Sequence, residues 1–448
     1  MPGDDPWPGS AERSQARGAR VPDCPRPSAA AAVAHDSPAA GTTLAIRWGR
    51  TFAALKHPNY RLWFWGQMTS LLGTWMQTTA QGFLIFELTH SPQYLGYVGF
   101  ASGLPTWVLT LYGGLIADRI PRRTLLIITQ TFMMSLAFVL SALTFLNVVQ
   151  PWHVIILAFL LGVANSFDAP ARQAFVSEMV PREDMANAIA LNATMFNTAT
   201  AVGPAVAGVA YALFGPGWCF LINGLSFIAV IVALWMMRIV GVRPAAGGGS
   251  AFAELKEGIR YVVTHRLVRV LIAMIAVNSM FQISFATIAP AWAVVVLGGG
   301  AAVNGLLYSA RGVGSLMGAL VIASRARMKF RGRMLTMGSF LAPLFFFAFA
   351  FVRWLPFSLL LLIGAGFGMI MVANVANAMV QTATPDRLRG RVMGAYTWIF
   401  FGFMPIGALW SGSMANQLGT PAAVVINAAF SFAFAAAVFI WFPHVRQE

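Results

Sequence analysis

The chain has 448 residues, of which 58% are hydrophobic and 10% charged, and its formal net charge is +15. A water-soluble globule carries nearer ~25% charged residues, so this composition excludes one and calls for a protein embedded in a bilayer. The positive excess alone would suit a nucleic-acid partner, but that reading needs a basic patch on a soluble surface, and here the basic residues recur between apolar runs, which topology explains better.

In chain order, residues 1–50 are rich in Pro, Ala, Gly, Ser and Arg and lack a periodic apolar face, which predicts a disordered cytoplasmic tail. They do not read as a secretory signal, since no apolar core follows a basic start. A start codon downstream of Met1 is the alternative. Twelve apolar runs follow, at 61–86, 94–117, 124–149, 152–175, 187–214, 217–238, 268–296, 302–324, 333–352, 355–382, 391–415 and 421–442. Each is close to or above the ~20 residues that a helix needs to cross a membrane. The expected fold is therefore all-α and integral to the membrane.

The Lys and Arg residues sort to one side of a twelve-span arrangement. Lys56 and Arg61 precede the first span, Arg119, Arg122 and Arg123 join spans two and three, and Arg172 and Arg182 join four and five. Arg387, Arg389 and Arg391 lead into span eleven. Basic residues in short loops resist translocation, so this side is expected to be the cytoplasm, with both termini on it. Arg353, in an opposite loop, and Arg311, within a span, stand apart.

Between spans six and seven, Gly247 to Ser250 reads as a flexible linker. Phe252, Leu255, Ile259 and Tyr261 to Val263, with Glu254, Lys256, Glu257 and Arg260 between them, predict an amphipathic helix on the inner leaflet. The predicted domains are 51–240 and 267–442, each of six spans, with 241–266 as linker and 443–448 as a short cytoplasmic end. The two halves are internal repeats. Pro181, Phe196, Gly203 and Gly208 recur as Pro385, Phe400, Gly407 and Gly412 at one constant offset. Duplicated halves place a substrate site between them, near the bilayer midplane.

The run Gly114-Leu-Ile-Ala-Asp118-Arg119-Ile-Pro-Arg122-Arg123 resembles the cytoplasmic loop signature of the major facilitator superfamily, with Pro121 where a glycine is usual. That resemblance implies two pseudo-symmetric six-helix bundles and a conformational latch. In the latch, the Asp118 carboxylate is neutralised by a neighbouring arginine and by the N-terminal end of span eleven near Gly390 and Arg391. The alternative for these charges is a solvated loop obeying the positive-inside rule. The counterpart from Gly318 to Arg333 has arginines and no acid, so the latch is one-sided. Asp168-Ala-Pro-Ala-Arg172-Gln173, Glu178 to Pro181, Gln381 to Pro385 and Arg389-Gly-Arg391 resemble the drug-export branch that contains the enterobactin exporter and macrolide-efflux proteins. Asp168 and Arg172 stand one helical turn apart and can pair, as a loop anchor or as part of a gate. Gly203, Pro204 and Gly208 resemble a degenerate antiporter signature, and close helix packing explains them equally.

Polar residues cluster on spans one, four, seven and ten, the set that lines the central cavity in this superfamily. Gln67, Ser70, Thr74, Gln77, Thr78 and Gln81 fall on one face of span one. Asn165, Asn278, Gln282, Asn374, Asn377 and Gln381 would supply the other walls, and Trp75, Met76, Phe281 and Phe285 an apolar surface. Arg311 has two readings, capping of backbone carbonyls or binding an anionic group of the substrate.

An enzyme is not expected. Six scattered histidines and two cysteines, Cys24 and Cys219, form no metal or nucleophile set. No Gly-x4-Gly-Lys phosphate loop occurs, which argues against a primary pump, and no cofactor is expected. No mid-membrane carboxylate is present, so proton coupling follows only from the resemblance. The expected activity is export of small amphipathic molecules, drugs or siderophores, by a monomer in a bacterial cytoplasmic membrane. Import of a small metabolite or anion is the alternative.

Overall fold

The computed structural model describes residues 52–117, 120–238, 251–324 and 331–446. The tail, the glycine linker, Asp118 and Arg119 lie outside them. Thirteen helices account for most of the rest: α1 Pro58–Thr89, α2 Pro92–Ala117, α3 Arg122–Phe145, α4 Pro151–Phe175, α5 Met185–Phe214, α6 Pro216–Met236, α7 Ala251–Thr264, α8 Arg266–Val296, α9 Ala301–Ser324, α10 Arg331–Phe351, α11 Leu355–Ala383, α12 Asp386–Leu418 and α13 Thr420–Trp441. No strand occurs among the described residues. By length and composition, nine helices among those residues can cross a membrane: α3, α4, α6 and α8 to α13. The remaining long ones, α1, α2 and α5, have 32, 26 and 30 residues.

Proline sets many of the starts. Pro58, Pro151, Pro216, Pro356 and Pro421 occupy the first or second helical position, where the missing N–H is not needed and the fixed φ suits a helix. The third helix stops at Phe145, short of the expected 149, for a local reason. Asn147 turns left-handed at φ 57, its N–H bonds to Thr144 O at 3.1 Å, and Val148 N–H bonds to Leu143 O at 3.1 Å. This pair of bonds is a Schellman stop with asparagine in the position that tolerates left-handed backbone. Helix α8 is not uniform. It widens into π-helical turns at Asn278–Ile283 and Trp292–Val296, on either side of Pro290.

Helices α1 to α6 pack among themselves, as do α8 to α13, and the two groups meet along two seams. In one seam α2 lies on α12: a Cβ on Gly412 would come within 2.7 Å of Gly96 Cα, and one on Gly103 within 2.8 Å of Pro405. In the other α9 lies on α5: a Cβ on Gly305 would fall 2.3 Å from Pro204 O, and one on Gly208 2.7 Å from Ala301 O. Only glycine permits such an approach of backbones. The repeat seen in sequence has a structural counterpart here. Gly203 and Gly407 each abut the first helix of their own half, at Trp75 of α1 and Met280 of α8, while Gly208 and Gly412 each abut the other half.

Both seams favour one end of the molecule, the end opposite the basic loops. There an apolar cluster joins both halves, with Met76, Phe83, Leu84 and Phe220 packed beside Ala291 and Ala301, and Ser91 Oγ donates to Asn416 Oδ1 at 2.9 Å. At the basic end the apolar residues fall into two separate clusters, one around Trp63, Leu126, Phe175 and Leu234 and one around Leu271, Ile275, Val375 and Val392. Helix α7 belongs to the second. The inner-leaflet position expected for it is corrected in one respect: its apolar face docks on protein, with Leu255 and Val262 buried and Gly258 against the Arg391 backbone. Phe252 and Val263 remain exposed on its other side.

Gly407→Ala places a methyl 2.2 Å from Met280 O, whereas a Cβ on Gly390 meets nothing within 4 Å. Overpacking of this kind costs about 1–3 kcal/mol. The expected outcome in thermal melts of the solubilised protein is a clear drop for Gly407→Ala and no change for Gly390→Ala.

Candidate functional site

At the basic end the charged residues singled out in the sequence are held within their own halves. Arg122, at the start of α3, donates through Nη1 to Glu178 Oε1 at 2.8 Å and to Ala174 O at 3.5 Å. Arg123 donates to Trp235 O at 3.0 Å. Asp168 is 1% exposed. Its Oδ2 lies 3.3 Å from Arg172 Nη2, and its Oδ1 accepts from Thr129 Oγ1 at 3.0 Å and from Gln130 Nε2 at 2.9 Å. A buried carboxylate is tolerated when charge and donors surround it in this way. The cluster ties α4 to α3.

Across the crevice, Arg391 pairs with Glu257 of α7. Arg389 lies 2.5 Å from Asp386 and donates to Gln381 O at 3.1 Å. The sequence named neither Glu178 nor Glu257 as a partner. The latch as expected cannot be traced through Asp118 and Arg119, which lie outside the described residues. Gly114 sits in the last turn of α2, and the partners expected for Asp118, Gly390 and Arg391, face open space and Glu257 respectively.

The expected cavity walls divide into two groups. Gln67, Ser70, Gln77 and Gln81 are buried, and Gln77 Oε1 accepts from Asn223 Nδ2 of α6 at 2.6 Å. Thr78 is exposed, but its hydroxyl bonds back to Thr74 O at 2.9 Å. Much of this stripe therefore serves helix packing in the present arrangement, where sequence reasoning expected water or ligand. Asn278 and Gln282 lie in the first π turn of α8, 1% and 5% exposed. Asn165 is part-buried on α4, and Asn374, Asn377 and Gln381 are part-buried or exposed on α11, with Gln381 donating to Asn377 at 2.6 Å. The aromatic residues proposed as an apolar surface pack instead. Trp75 lies 6.0 Å from Phe196, Phe281 stacks 5.4 Å from Phe430, and Phe285 is buried against Phe346 and Phe349.

Arg311 donates through Nη1 to Ile283 O at 3.2 Å, with its guanidinium 5.8 Å from the Tyr308 ring centre. Ile283 closes the π turn, where the widened ladder leaves carbonyls without their ordinary partner. Carbonyl capping is thus the contact Arg311 makes here. Pro204 and Gly208 sit in the α5–α9 seam, and Gly203 packs against Trp75 of α1.

Two bundles of long apolar helices, joined at one end by small-residue seams and carrying separate apolar clusters on either side of a crevice at the other, are the architecture of a major facilitator transporter. A POT family transporter in complex with 5-aminolevulinic acid superposes with a TM-score of 0.70 at 10% identity, covering 86% of this chain and 96% of that one. A bacterial homologue of the human lysosomal transporter Spinster, in an inward-facing and unoccupied conformation, gives 0.66 at 12% identity, covering 89% and 98%. These likenesses concern the fold. The sequence profile of the transmembrane secretion effector family matches residues 49–447, so the chain belongs to that family and is a membrane transporter, not an enzyme.

Its relatives include the staphyloferrin A transporter of Staphylococcus aureus, 25% identical over 351 residues, or 78% of this chain and 87% of that protein. The multidrug efflux pump Tap of Mycolicibacterium fortuitum is 25% identical over 394 residues, 85% and 94%. The enterobactin exporter of Salmonella typhimurium is 25% identical over 364 residues, 78% and 84%.

Removing Arg172 leaves the Asp168 carboxylate buried with two neutral donors. Arg172→Met should therefore lower stability by about 1.5–3 kcal/mol, the worth of a hydrogen bond to a charged group, and Asp168→Asn added to it should restore part of the loss. Thermal denaturation of the two variants compared with the parent checks this double-mutant prediction.

Proposed function

We propose that this protein is a secondary exporter of small amphipathic molecules, of the siderophore or drug class, working by alternating access between its two bundles. The observation that carries the reading is the parted crevice at the basic end opposite two closed seams, in a chain whose relatives over most of their length carry out siderophore export and drug efflux. The basic end is the cytoplasmic one on this reading, because Arg122, Arg123, Arg389 and Arg391 all cluster there. Residues 51–240 and 267–442 are then the two moving bodies, with 241–266 as the cytoplasmic strap and the remaining ends on the same side. The protein acts as a monomer in a bacterial cytoplasmic membrane, with protons as the driving ion. Gln67, Thr74, Gln77, Thr78, Asn165, Asn278, Gln282, Arg311, Asn374, Asn377 and Gln381 line the path in the course of the cycle.

Inverted membrane vesicles with an imposed pH gradient, acid inside, test the direction. Accumulation of ethidium that collapses with a protonophore is expected, and accumulation only in right-side-out vesicles would reverse the assignment to import. Asp118→Asn is expected to slow that flux several-fold at unchanged membrane abundance, and flux equal to the parent's would remove the latch from the mechanism.

A further inference from the structure

The contact nearest the crevice in the α2–α12 seam is aromatic. Trp107 and Trp398 face each other across the two bundles, ring centroids 5.6 Å apart and planes inclined at 39°. Gly402 makes room for the pair, since a Cβ there would lie 2.3 Å from Trp107 Nε1. That indole nitrogen is buried and has no hydrogen-bond partner. On the basic side of the pair lies a cavity of about 360 Å³, lined by Thr110, Met393, Gly394, Thr397 and Trp398. Helix α2 contributes Thr110 and helix α12 the other four, so the walls come from different bundles.

We propose that this cavity is a binding subsite for an aromatic ring of the transported molecule, with the ring lying on Trp398 and a polar substituent meeting the threonine hydroxyls. The inference rests on the crevice being the substrate path, and it assigns the ligand class. The volume suits one or two fused rings, at the low end of the ~300–1,000 Å³ typical of small-molecule sites. An indole face favours another ring in offset or tilted stacking, and the methionine thioether beside it adapts to ring edges. A lipid tail would use the apolar walls but neither hydroxyl. Because the two walls belong to bodies that separate and approach, the subsite has this shape only while the basic end is parted. A ligand held there binds one conformation better than the other, as a population shift requires.

The chain has two cysteines, Cys24 and buried Cys219, so a reporter thiol can be introduced on a Cys24→Ser, Cys219→Ser background. Gly394→Cys is the position of choice, because a Cβ there meets nothing within 4 Å. In inverted vesicles, naphthalene carboxylate is expected to slow N-ethylmaleimide modification of the reporter, and its fully hydrogenated counterpart to protect poorly. Trp398→Ala should raise the concentration for half-protection by roughly three- to tenfold, the range that ring stacking supplies, with Trp398→Phe in between. Equal protection by the saturated acid, no protection by the aromatic one, or indifference to Trp398→Ala overturns the subsite. A reporter that never reacts overturns the parted crevice itself and the subsite with it. Protection that persists while vesicles show no ethidium flux supports the subsite and overturns only the export reading.

Discussion

The architecture depends on how closely two backbones can approach inside lipid. Between transmembrane helices there is little hydrophobic gain, since lipid tails are as apolar as leucine, and association rests on van der Waals contact and hydrogen bonds. The two seams meet that requirement with glycine and alanine: Gly96, Gly99 and Gly103 against Pro405, Ala408 and Gly412, and Gly305 and Gly312 against Pro204, Gly208 and Ala201. A side chain at any of several of these positions would fall inside another backbone. The same device serves inside each half, where Gly203 and Gly407 bring α5 onto α1 and α12 onto α8.

Electrostatics then divides the molecule's two ends. At the basic end every described ion pair closes within one half: Arg122 with Glu178, Asp168 with Arg172, His57 with Asp184, Arg389 with Asp386 and Arg391 with Glu257. None of these described pairs joins the two halves, so the halves can separate without breaking any of them. At the opposite end, backbone contact and the Ser91–Asn416 bond join the halves. Helix α7 follows the C-terminal half through Glu257 and Leu255, which makes it a part of that body as well as a connection between the two.

The polar interior shows why composition alone misplaces function. Six polar side chains at helical spacing on α1 suggest a wetted face, yet Gln77 is taken up by Asn223 and Thr78 by its own helix. In α8 the π turn exposes a carbonyl, and Arg311 satisfies it. A further chain of hydrogen bonds, Ser284 to Ser411 to Asn427 to Trp410, locks α8, α12 and α13 together and carried no sequence signature. Each of these groups was recognisable as polar and intramembrane, but, Thr78 apart, its partner lies more than a dozen residues away on another helix.

Span positions, the basic end, the duplicated Pro–Phe–Gly–Gly landmarks and the Asp168–Arg172 pair were all legible in the residues alone. They follow from local spacing: apolar run length, charge placement between runs, and the 3.6-residue turn. The end of α3 was missed by a few residues because Asn147 stops it through a backbone conformation that hydropathy does not register. What only the tertiary structure decided is which faces meet: that Arg391 turns to Glu257, that Gln77 is packed, and that Trp107 and Trp398 come together from helices nearly three hundred residues apart. Helical period assigns a residue to a face. The rotation and crossing of each helix against its neighbours, fixed by where the glycines allow backbones to touch, determines what that face encounters.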